Sequence, residues 1–368
     1  MPKARKRPFS HPLSGSNLTN ILRLLYQSGP IPPKKWPQII MALSSAILRS
    51  PFSAIENITT NRAIRHIKEI PPPVFIVGHW RSGTTYLCNI LSKSPRFGYV
   101  SPLAVGLPWN MLIIGKMFRP LIEKTIPSDR LIDRVPVTPD APQEDEFGIA
   151  NMLPVSFLHA LYFPKNFIKI AEQGLFFDDC PPELIEKWKK TMVYYLKKVS
   201  LHQNHKPLLI RNPVYTARLR LLKELWPKAK FIHIYRNPYH IFHSMKNYYQ
   251  KLLPALALQN YDHLDIEDFI FSTYTRMMQH LLEDTKRLTA DEFIHVRYED
   301  LEQNPLQEIK KIYNQLHLEG YAEAAPHFEQ YISTIQTYQK NTYQLHPEEI
   351  KKIYDHWSPF IQHWGYTP

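Results

Sequence analysis

The sequence predicts an α/β fold in which a central parallel sheet is flanked by helices. Four short apolar runs, VFIV, LLIR, FIHIY and FIHVR, are each followed by a segment with apolar residues at helical spacing. Strands that alternate with helices of this length need right-handed crossovers, which make neighbouring strands parallel. Ligands of such sheets bind beyond the carboxyl ends of the strands, so we expect the functional site there.

Length and composition limit the classes of protein that this chain can represent. Its 368 residues include 44% hydrophobic and 21% charged residues, which is near the average for folded, water-soluble domains. Lys and Arg outnumber Asp and Glu by 45 to 33, so the formal charge is +12. This charge favours anionic partners but does not choose among nucleotides, nucleic acids, acidic lipids and sulfated glycans. The 2 cysteines suit a reducing compartment, because they cannot form a disulfide framework.

We divide the chain into an N-terminal helical extension that packs on the core and one large domain. Residues 1–70 are basic, rich in proline and helical in pattern, and Pro71–Pro73 stop any helix there. Residues 71–368 contain all the predicted strands. Within them, prolines repeatedly interrupt the segment 98–205, which we interpret as an insertion of helices and loops that shapes a binding site.

No segment is predicted to direct secretion or to cross a membrane. Arg23 interrupts the first apolar segment, so we expect no secretory signal. The longest apolar run, Gln38–Leu48, is shorter than the roughly 20 residues that span a bilayer, and it is predicted to be a core-facing or interfacial helix. The apolar segment Leu107–Ile122 is predicted to be a packed helix, with a pocket lining or a membrane interface as alternatives.

The segment FIVGHWRSGTTYL, Phe75–Leu87, joins a predicted strand to a predicted helix through a loop that contains two glycines. Gly78 and Gly83 enclose four residues as in a nucleotide-binding P-loop, but a threonine replaces the lysine of that motif. Amides at the start of a helix supply donors and positive partial charge to an anion. The residues at this start are Ser82, Gly83, Thr84 and Thr85. We therefore predict a P-loop-like nucleotide-binding core that holds a phosphate-like group.

The absence of the P-loop lysine argues against a nucleoside triphosphatase. Such an enzyme uses the lysine on the phosphates and a magnesium ion held partly by an acidic strand end. Two other predicted strands end instead near arginines, Arg211 and Arg236. Fixed cations at these positions would neutralise an anionic ligand, so we predict a site that needs no metal.

Three motifs occur in the same order along the chain as in a known enzyme family. They are FIVGHWRSGTTYL, FIHIYRNPYHIFHS, and RYEDL followed by NP, at Arg297–Pro305. The first two resemble the 5′-phosphosulfate-binding loop and the 3′-phosphate-binding segment of sulfotransferases that use 3′-phosphoadenosine-5′-phosphosulfate (PAPS). The similarity extends from about Ile58 to the C-terminus, and APQEDEFG resembles a segment of the bacterial branch of the family.

The resemblance implies a role for each residue that matches a motif. Arg81 would lie near the transferring sulfuryl group, and the residues Ser82 to Thr85 would hold the 5′ side of the donor. Arg236 and Ser244, eight positions apart, would hold the 3′-phosphate. An arginine fork suits a phosphate, and a hydroxyl at a helix start adds a donor to it. The alternatives are a structural ion pair for Arg236 and a solvated helix position for Ser244.

A base that removes the proton of the acceptor would assist in-line sulfuryl transfer. The segment DAPQEDEFG contains four acidic residues, Asp140, Glu144, Asp145 and Glu146. Glu144 is the first candidate for the base and Glu146 the second, with a solvated acidic loop as the alternative. The two glutamates would face the same way only in an extended segment, since a helix separates them by about 200°. His79 is a rival candidate inside the glycine loop, where we favour a positioning role.

The sequence therefore predicts a PAPS-dependent sulfotransferase of the EC 2.8.2 type. It would move a sulfuryl group to a hydroxyl, or less favourably to an amine, of an unidentified acceptor and release adenosine 3′,5′-bisphosphate (PAP). The alternatives are a P-loop nucleotide kinase or phosphatase and a non-catalytic basic module that binds acidic lipid or nucleic acid. For the enzyme we expect a cytoplasmic location, with peripheral membrane contact as an option, and no nucleic-acid partner.

Overall fold

The computed structural model describes residues 11–115, 117, 140–335 and 346–367. Its strands are β1 (Val74–Val77), β2 (Gly98–Tyr99), β3 (Leu208–Arg211), β4 (Lys230–Tyr235) and β5 (Phe293–Arg297). They form one sheet in the order β2-β3-β1-β4-β5, and every pair of neighbours is parallel. The predicted α/β fold with a central parallel sheet is confirmed.

Helices cover both faces of this sheet. Before β1 lie α1 (Leu18–Ser28) and α2 (Trp36–His66), and α3 (Thr84–Leu91) follows β1. Between β2 and β3 lie α4 (Pro102–Gly106), α5 (Glu146–Met152), α6 (Leu158–Tyr162), α7 (Phe167–Phe176) and α8 (Pro182–His202). The next connections contain α9 (Leu219–Leu225), α10 (Pro238–Leu256) and α11 (Ile266–Thr285). After β5 come α12 (Tyr298–Gln303), α13 (Pro305–Gln315), α14 (Tyr321–Ile335) and α15 (Pro347–His363).

Alternate residues of the central strand β1 enter two separate cores, one on each face of the sheet. Phe75 and Val77 belong to the larger core, to which the N-terminal helices and the segment 98–205 also contribute. Val74 and Ile76 belong to the smaller core, together with apolar residues of α3, α13 and α14. Successive side chains of a strand point to opposite faces, so a strand covered on both faces must be apolar throughout. This requirement explains the uninterrupted run VFIV.

The segment 98–205 differs from its prediction in one respect, because it begins with the strand β2. Gly98 and Tyr99 pair with Leu208 and Leu209 of β3 and form one edge of the sheet. Two residues are too few to show a periodicity, so this strand could not be recognised. Prolines begin α4 and α8 instead of interrupting them, as suits a residue without an amide hydrogen. The predicted packed helix Leu107–Ile122 lies partly outside the described residues.

The N-terminal extension contains a helix that is much longer than the predicted helix Gln38–Leu48. α2 has 31 residues and includes Pro51. By length and composition, Pro33–His66 is long and apolar enough to cross a membrane, and it is much longer than the run Gln38–Leu48 from which a core-facing or interfacial helix was predicted. α2 is nevertheless attached to the rest of the protein by a buried ion pair between Glu56 and Lys198 of α8, 2.6 Å apart.

Candidate active site

The glycine loop between β1 and α3 follows the carboxyl end of the central strand. Its backbone is left-handed at Gly78, Arg81 and Gly83, with φ of 143°, 71° and 105°. A Cβ at Gly78 would clash with the carbonyl oxygen of Ile234, and a Cβ at Gly83 would clash with the ring of Tyr298. Only glycine fits at these two positions. Left-handed backbone costs an arginine about 1–3 kcal/mol, so the contacts of Arg81 must hold it there.

The loop presents hydroxyl and amide groups at the start of α3. The Ser82 side chain is 1% exposed, and its hydroxyl has no hydrogen-bond partner within the described part of the chain. Thr84 is buried as well. The amide of Gly78 is already satisfied, since it donates to the hydroxyl of Thr216 at 2.8 Å. A buried hydroxyl without a partner is rare, and at a helix N-terminus it can donate to an oxygen of an anionic ligand.

Two segments that are distant in the sequence meet at Arg81. The Arg81 Nε donates to the Oγ of Ser244 on α10 at 2.8 Å. Arg236, which follows β4, donates from Nη1 to the carbonyl oxygen of Arg81 at 3.4 Å. The structure therefore brings together three of the residues that the resemblance assigned to the donor.

The guanidinium of Arg236 lies over the ring of Tyr298, with its Cζ 4.4 Å from the ring centroid. Its Nε is buried and has no hydrogen-bond partner, and none of the carboxylates in the described ranges forms an ion pair with it. A cation held in place by an aromatic ring, with donor capacity left over, suits a phosphate or sulfate oxygen.

Glu144 lies beside the glycine loop because it pairs with the last residue of β3. Its backbone forms a parallel bridge with Arg211. Its carboxylate accepts a hydrogen bond from the Arg211 Nη1 at 2.7 Å, and the Glu144 side chain is 14% exposed. The same Nη1 donates to the Thr85 hydroxyl at 2.8 Å. Arg211 thus connects the acidic segment to the start of α3.

Glu146 lies in a different environment from Glu144, although only one residue separates them. It begins α5 and is 3% exposed. Its carboxylate accepts hydrogen bonds from the Ser156 hydroxyl at 2.5 Å, the Asn212 amide at 3.1 Å and the Phe157 backbone at 3.3 Å. Burial raises the pKa of Glu146.

Asp145 is buried beside Glu146 and accepts hydrogen bonds from Asn212, at 2.8 Å, and from the hydroxyl of Tyr215. Burial raises the pKa of Asp145 to about 7. Asp145 and Glu146 therefore belong to a buried hydrogen-bonded network, whereas Glu144 is partly exposed and pairs with Arg211.

His79 is inside the glycine loop, but its ring is turned into the protein. It is 2% exposed, and its Nδ1 lies 3.0 Å from the carbonyl oxygen of Trp80. The ring packs edge-on against Trp80 and Tyr274, at centroid distances of 5.5 and 5.1 Å. Burial lowers the pKa of His79 to about 4, so the imidazole is neutral at pH 7.

Some residues of the site were not identified as such from the sequence. Arg211 was recognised as a cation near a strand end, but its pairing with Glu144 and Thr85 depends on tertiary contacts. Thr216, which satisfies the amide of Gly78, carries no sequence signal at all. Tyr298 had one available signal, because it stands second in the motif RYEDL.

The chain resembles known proteins in sequence. The model of the sulfotransferase family matches residues 72–323. Over 366 residues the chain is 29% identical to the omega-hydroxy-beta-dihydromenaquinone-9 sulfotransferase Stf3 of Mycobacterium bovis and to the protein of the same name from Mycobacterium tuberculosis. Each alignment covers 99% of this chain and 93% of the relative.

Two crystal structures share the fold over nearly the whole chain. Sulfotransferase STF9 from Mycobacterium avium has a TM-score of 0.68 at 12% identity, covering 96% of this chain and 97% of that protein. Sulfotransferase STF1 from Mycobacterium tuberculosis has a TM-score of 0.64 at 15% identity, covering 93% and 91%.

Proposed function

The chain belongs to the sulfotransferase family, and on that premise we propose how its residues bind the donor and remove the proton of the acceptor. The enzyme transfers a sulfuryl group from PAPS to a hydroxyl group and releases PAP. The kinase or phosphatase and the non-catalytic binding module are not favoured by the family match. The roles of individual residues, the metal independence and the nature of the acceptor are our proposal.

The contact of Arg81 with both Ser244 and Arg236 is the observation that carries the proposal for the donor site. It supports a single anion site built from the glycine loop and the segment after β4. Arg236 and Ser244 hold the 3′-phosphate. Arg81 and the start of α3, from Ser82 to Thr85, bind the 5′-phosphosulfate, and the unpartnered hydroxyl of Ser82 supplies one of the donors.

Glu144 is the proposed base for the acceptor hydroxyl. Its carboxylate is partly exposed and is held by Arg211, which also bonds to Thr85 at the start of α3. Glu144 takes the proton of the acceptor while the acceptor oxygen forms its bond to sulfur. The bond between that sulfur and the bridging oxygen of the donor breaks, and its electron pair leaves with PAP. Arg81 neutralises the charge that develops on the transferring group.

Glu146 and His79 take supporting roles in this proposal. Three hydrogen bonds occupy the carboxylate of Glu146 inside the protein, so it fixes the acidic segment against Ser156 and Asn212. The buried ring of His79 holds the glycine loop in place through its contacts with the carbonyl oxygen and the ring of Trp80. Neither side chain has the exposure that a base needs to meet an acceptor.

The acceptor in our proposal is a hydroxyl carried by an apolar, lipid-like molecule. The relatives that are 29% identical are named as sulfotransferases of a hydroxylated menaquinone. In this chain Trp80 of the loop packs against Phe157 at a centroid distance of 4.6 Å, so the glycine loop is joined to the apolar core of the segment 98–205. We also propose that the chain consists of an extension, residues 1–70, and a domain, residues 71–368. In this proposal the segment 98–205 is the acceptor region.

A cytoplasmic enzyme with peripheral membrane contact fits such an acceptor, because lipids are presented at a bilayer surface. The two cysteines, Cys88 and Cys180, are free thiols, as is usual in a reducing compartment.

Transfer of labelled sulfate tests the acceptor class. The enzyme is incubated with PAPS labelled in the sulfuryl group and either a cellular lipid extract or a set of water-soluble phenols and sugars. We expect labelled product in the lipid fraction, and none with the matched variant Arg236→Ala at the same donor concentration. Label found only in water-soluble products would exclude a lipid acceptor, and no product from any hydroxyl compound would contradict the proposed function.

A further inference from the structure

The outer face of α2 is apolar over most of the helix. The helix has few buried residues, which are Ile39, Ala42, Ala46, Glu56 and Ile64. Only 17% of its most apolar window is buried. Large apolar side chains with exposed fractions between 39% and 80% form the outer face: Trp36, Ile40, Met41, Ile47, Leu48, Ile55 and Ile58. A surface helix of a water-soluble protein normally shows polar and charged residues on this side.

The two charged side chains in this stretch are both turned away from the outer face. Between Trp36 and Asn61 the sequence contains only Arg49 and Glu56 as charged residues. Arg49 donates to the backbone oxygens of Ser14 and Ser16, the latter at 2.8 Å. Glu56 is 1% exposed. Its carboxylate pairs with Lys198 and accepts hydrogen bonds from the backbone amides of Leu112 and Ile113. At 1.5 Å per residue, the outer face therefore runs for roughly 40 Å without an ionised group.

Basic residues stand at both ends of this uncharged face. Lys34 and Lys35 precede it, and Arg62, Arg65 and Lys68 follow it, and all except Lys35 are exposed. The neighbouring helix α1 adds exposed apolar residues at helical spacing, Leu18, Leu22 and Tyr26, of which Tyr26 is 90% exposed. An apolar helix face between cationic ends is typical of a helix that lies in the interface of an anionic membrane.

We propose that α2 is a membrane-docking helix that lies flat on an anionic lipid bilayer, with its outer face among the acyl chains and its basic ends at the headgroups. The bonds of Arg49 and Glu56 keep the opposite face on the protein, which fits a helix that lies along a surface and does not cross it. A second copy of the chain is a poorer partner for this face. Both ends of the helix are basic, so any pairing of two copies would place like charges together.

The docking face can be tested without any assay of activity. The full-length protein is sedimented with vesicles of phosphatidylcholine alone or mixed with phosphatidylglycerol. We expect it to bind the mixed vesicles, and to bind them less as the salt concentration rises. The double variant Ile47→Glu, Leu48→Glu should weaken partitioning at least on the order of 10-fold, because two aliphatic side chains that would lie among the acyl chains are replaced by charges.

A matched variant, Ile168→Glu with Tyr354→Glu, adds the same charge at two exposed apolar positions on α7 and α15. It should bind vesicles as the unmodified protein does, apart from the small general effect of added negative charge. PAP binding, measured in all three proteins, shows that they are folded. Unmodified protein that binds PAP but not the mixed vesicles would overturn the docking helix and leave the proposed function intact. Equal losses of vesicle binding in the two double variants would also overturn the docking helix. The same holds if sedimentation velocity shows a dimer that only Ile47→Glu, Leu48→Glu dissociates.

Discussion

Replacing Glu144 by glutamine should lower turnover by roughly 10²–10⁴-fold, which is the usual contribution of a general base. Glutamine keeps the volume and an oxygen that can accept the hydrogen bond from Arg211, but it cannot take the proton of the acceptor. PAP affinity should hardly change, because Glu144 is connected to the start of α3 through Arg211, which bonds to both Glu144 and Thr85. The measurements are turnover at saturating donor and acceptor, and calorimetric titration with PAP.

Substitutions of the other two candidates, Glu146 and His79, distinguish a base from a residue that supports the fold. Glu146→Gln and His79→Asn change side chains that are buried, so we expect them to lower the melting temperature more than the turnover of the folded enzyme. Near-normal turnover in Glu144→Gln, together with a loss in one of the other two at unchanged stability, would transfer the role of base to that residue. Activity in all three would place the base elsewhere.

Replacing Arg236 by alanine should weaken PAP binding by about 2–4 kcal/mol, or roughly 30-fold to 1000-fold, through loss of a charge-assisted contact with the 3′-phosphate. AMP lacks that phosphate, so its affinity should change much less. The difference between the two ligands is therefore the measured quantity, by titration calorimetry. Equal losses for PAP and AMP would mean that Arg236 supports the fold instead of reading the phosphate.

Arg276 offers a matched control for this substitution. Its guanidinium also lies over an aromatic ring, Phe176, with its Cζ 3.9 Å from the centroid. In contrast to Arg236, it is paired with a carboxylate, that of Asp178, at 2.8 Å. Arg276→Ala removes the same charge and a similar stacking contact, and it should leave PAP binding unchanged.

The sequence predicted the parts of this fold that depend on local patterns. β1, the glycine loop and α3 follow from a buried apolar run, two glycines and an amphipathic segment. β2 did not, since two residues show no periodicity. The length of α2 did not either, since the apolar run Gln38–Leu48 is much shorter than the helix, which continues through Pro51. A proline in a helix interior usually ends it, and only the packing of α2 on the protein shows that the helix continues.

The sequence motifs identified residues of the candidate site but not the contacts between them. Arg81, Arg236 and Ser244 were identified by resemblance, yet no local rule predicts that Arg81 donates directly to Ser244, 163 positions away in the chain. The different environments of Glu144 and Glu146 arise from tertiary contacts with Arg211 and Asn212. The two glutamates would face the same way only in an extended segment, and the start of α5 at Glu146 gives them different directions.

Titration calorimetry with PAP in the presence of EDTA, compared with ATP plus magnesium, tests the central claim most directly. The cluster of Arg81, Arg236 and Ser244 is proposed to neutralise the donor with fixed cations and hydroxyls, so chelation of metal ions should not affect it. We predict tight binding of PAP that is unchanged by EDTA, and weaker binding of ATP with or without magnesium. Magnesium-dependent ATP binding that is tighter than PAP binding would contradict a sulfotransferase site.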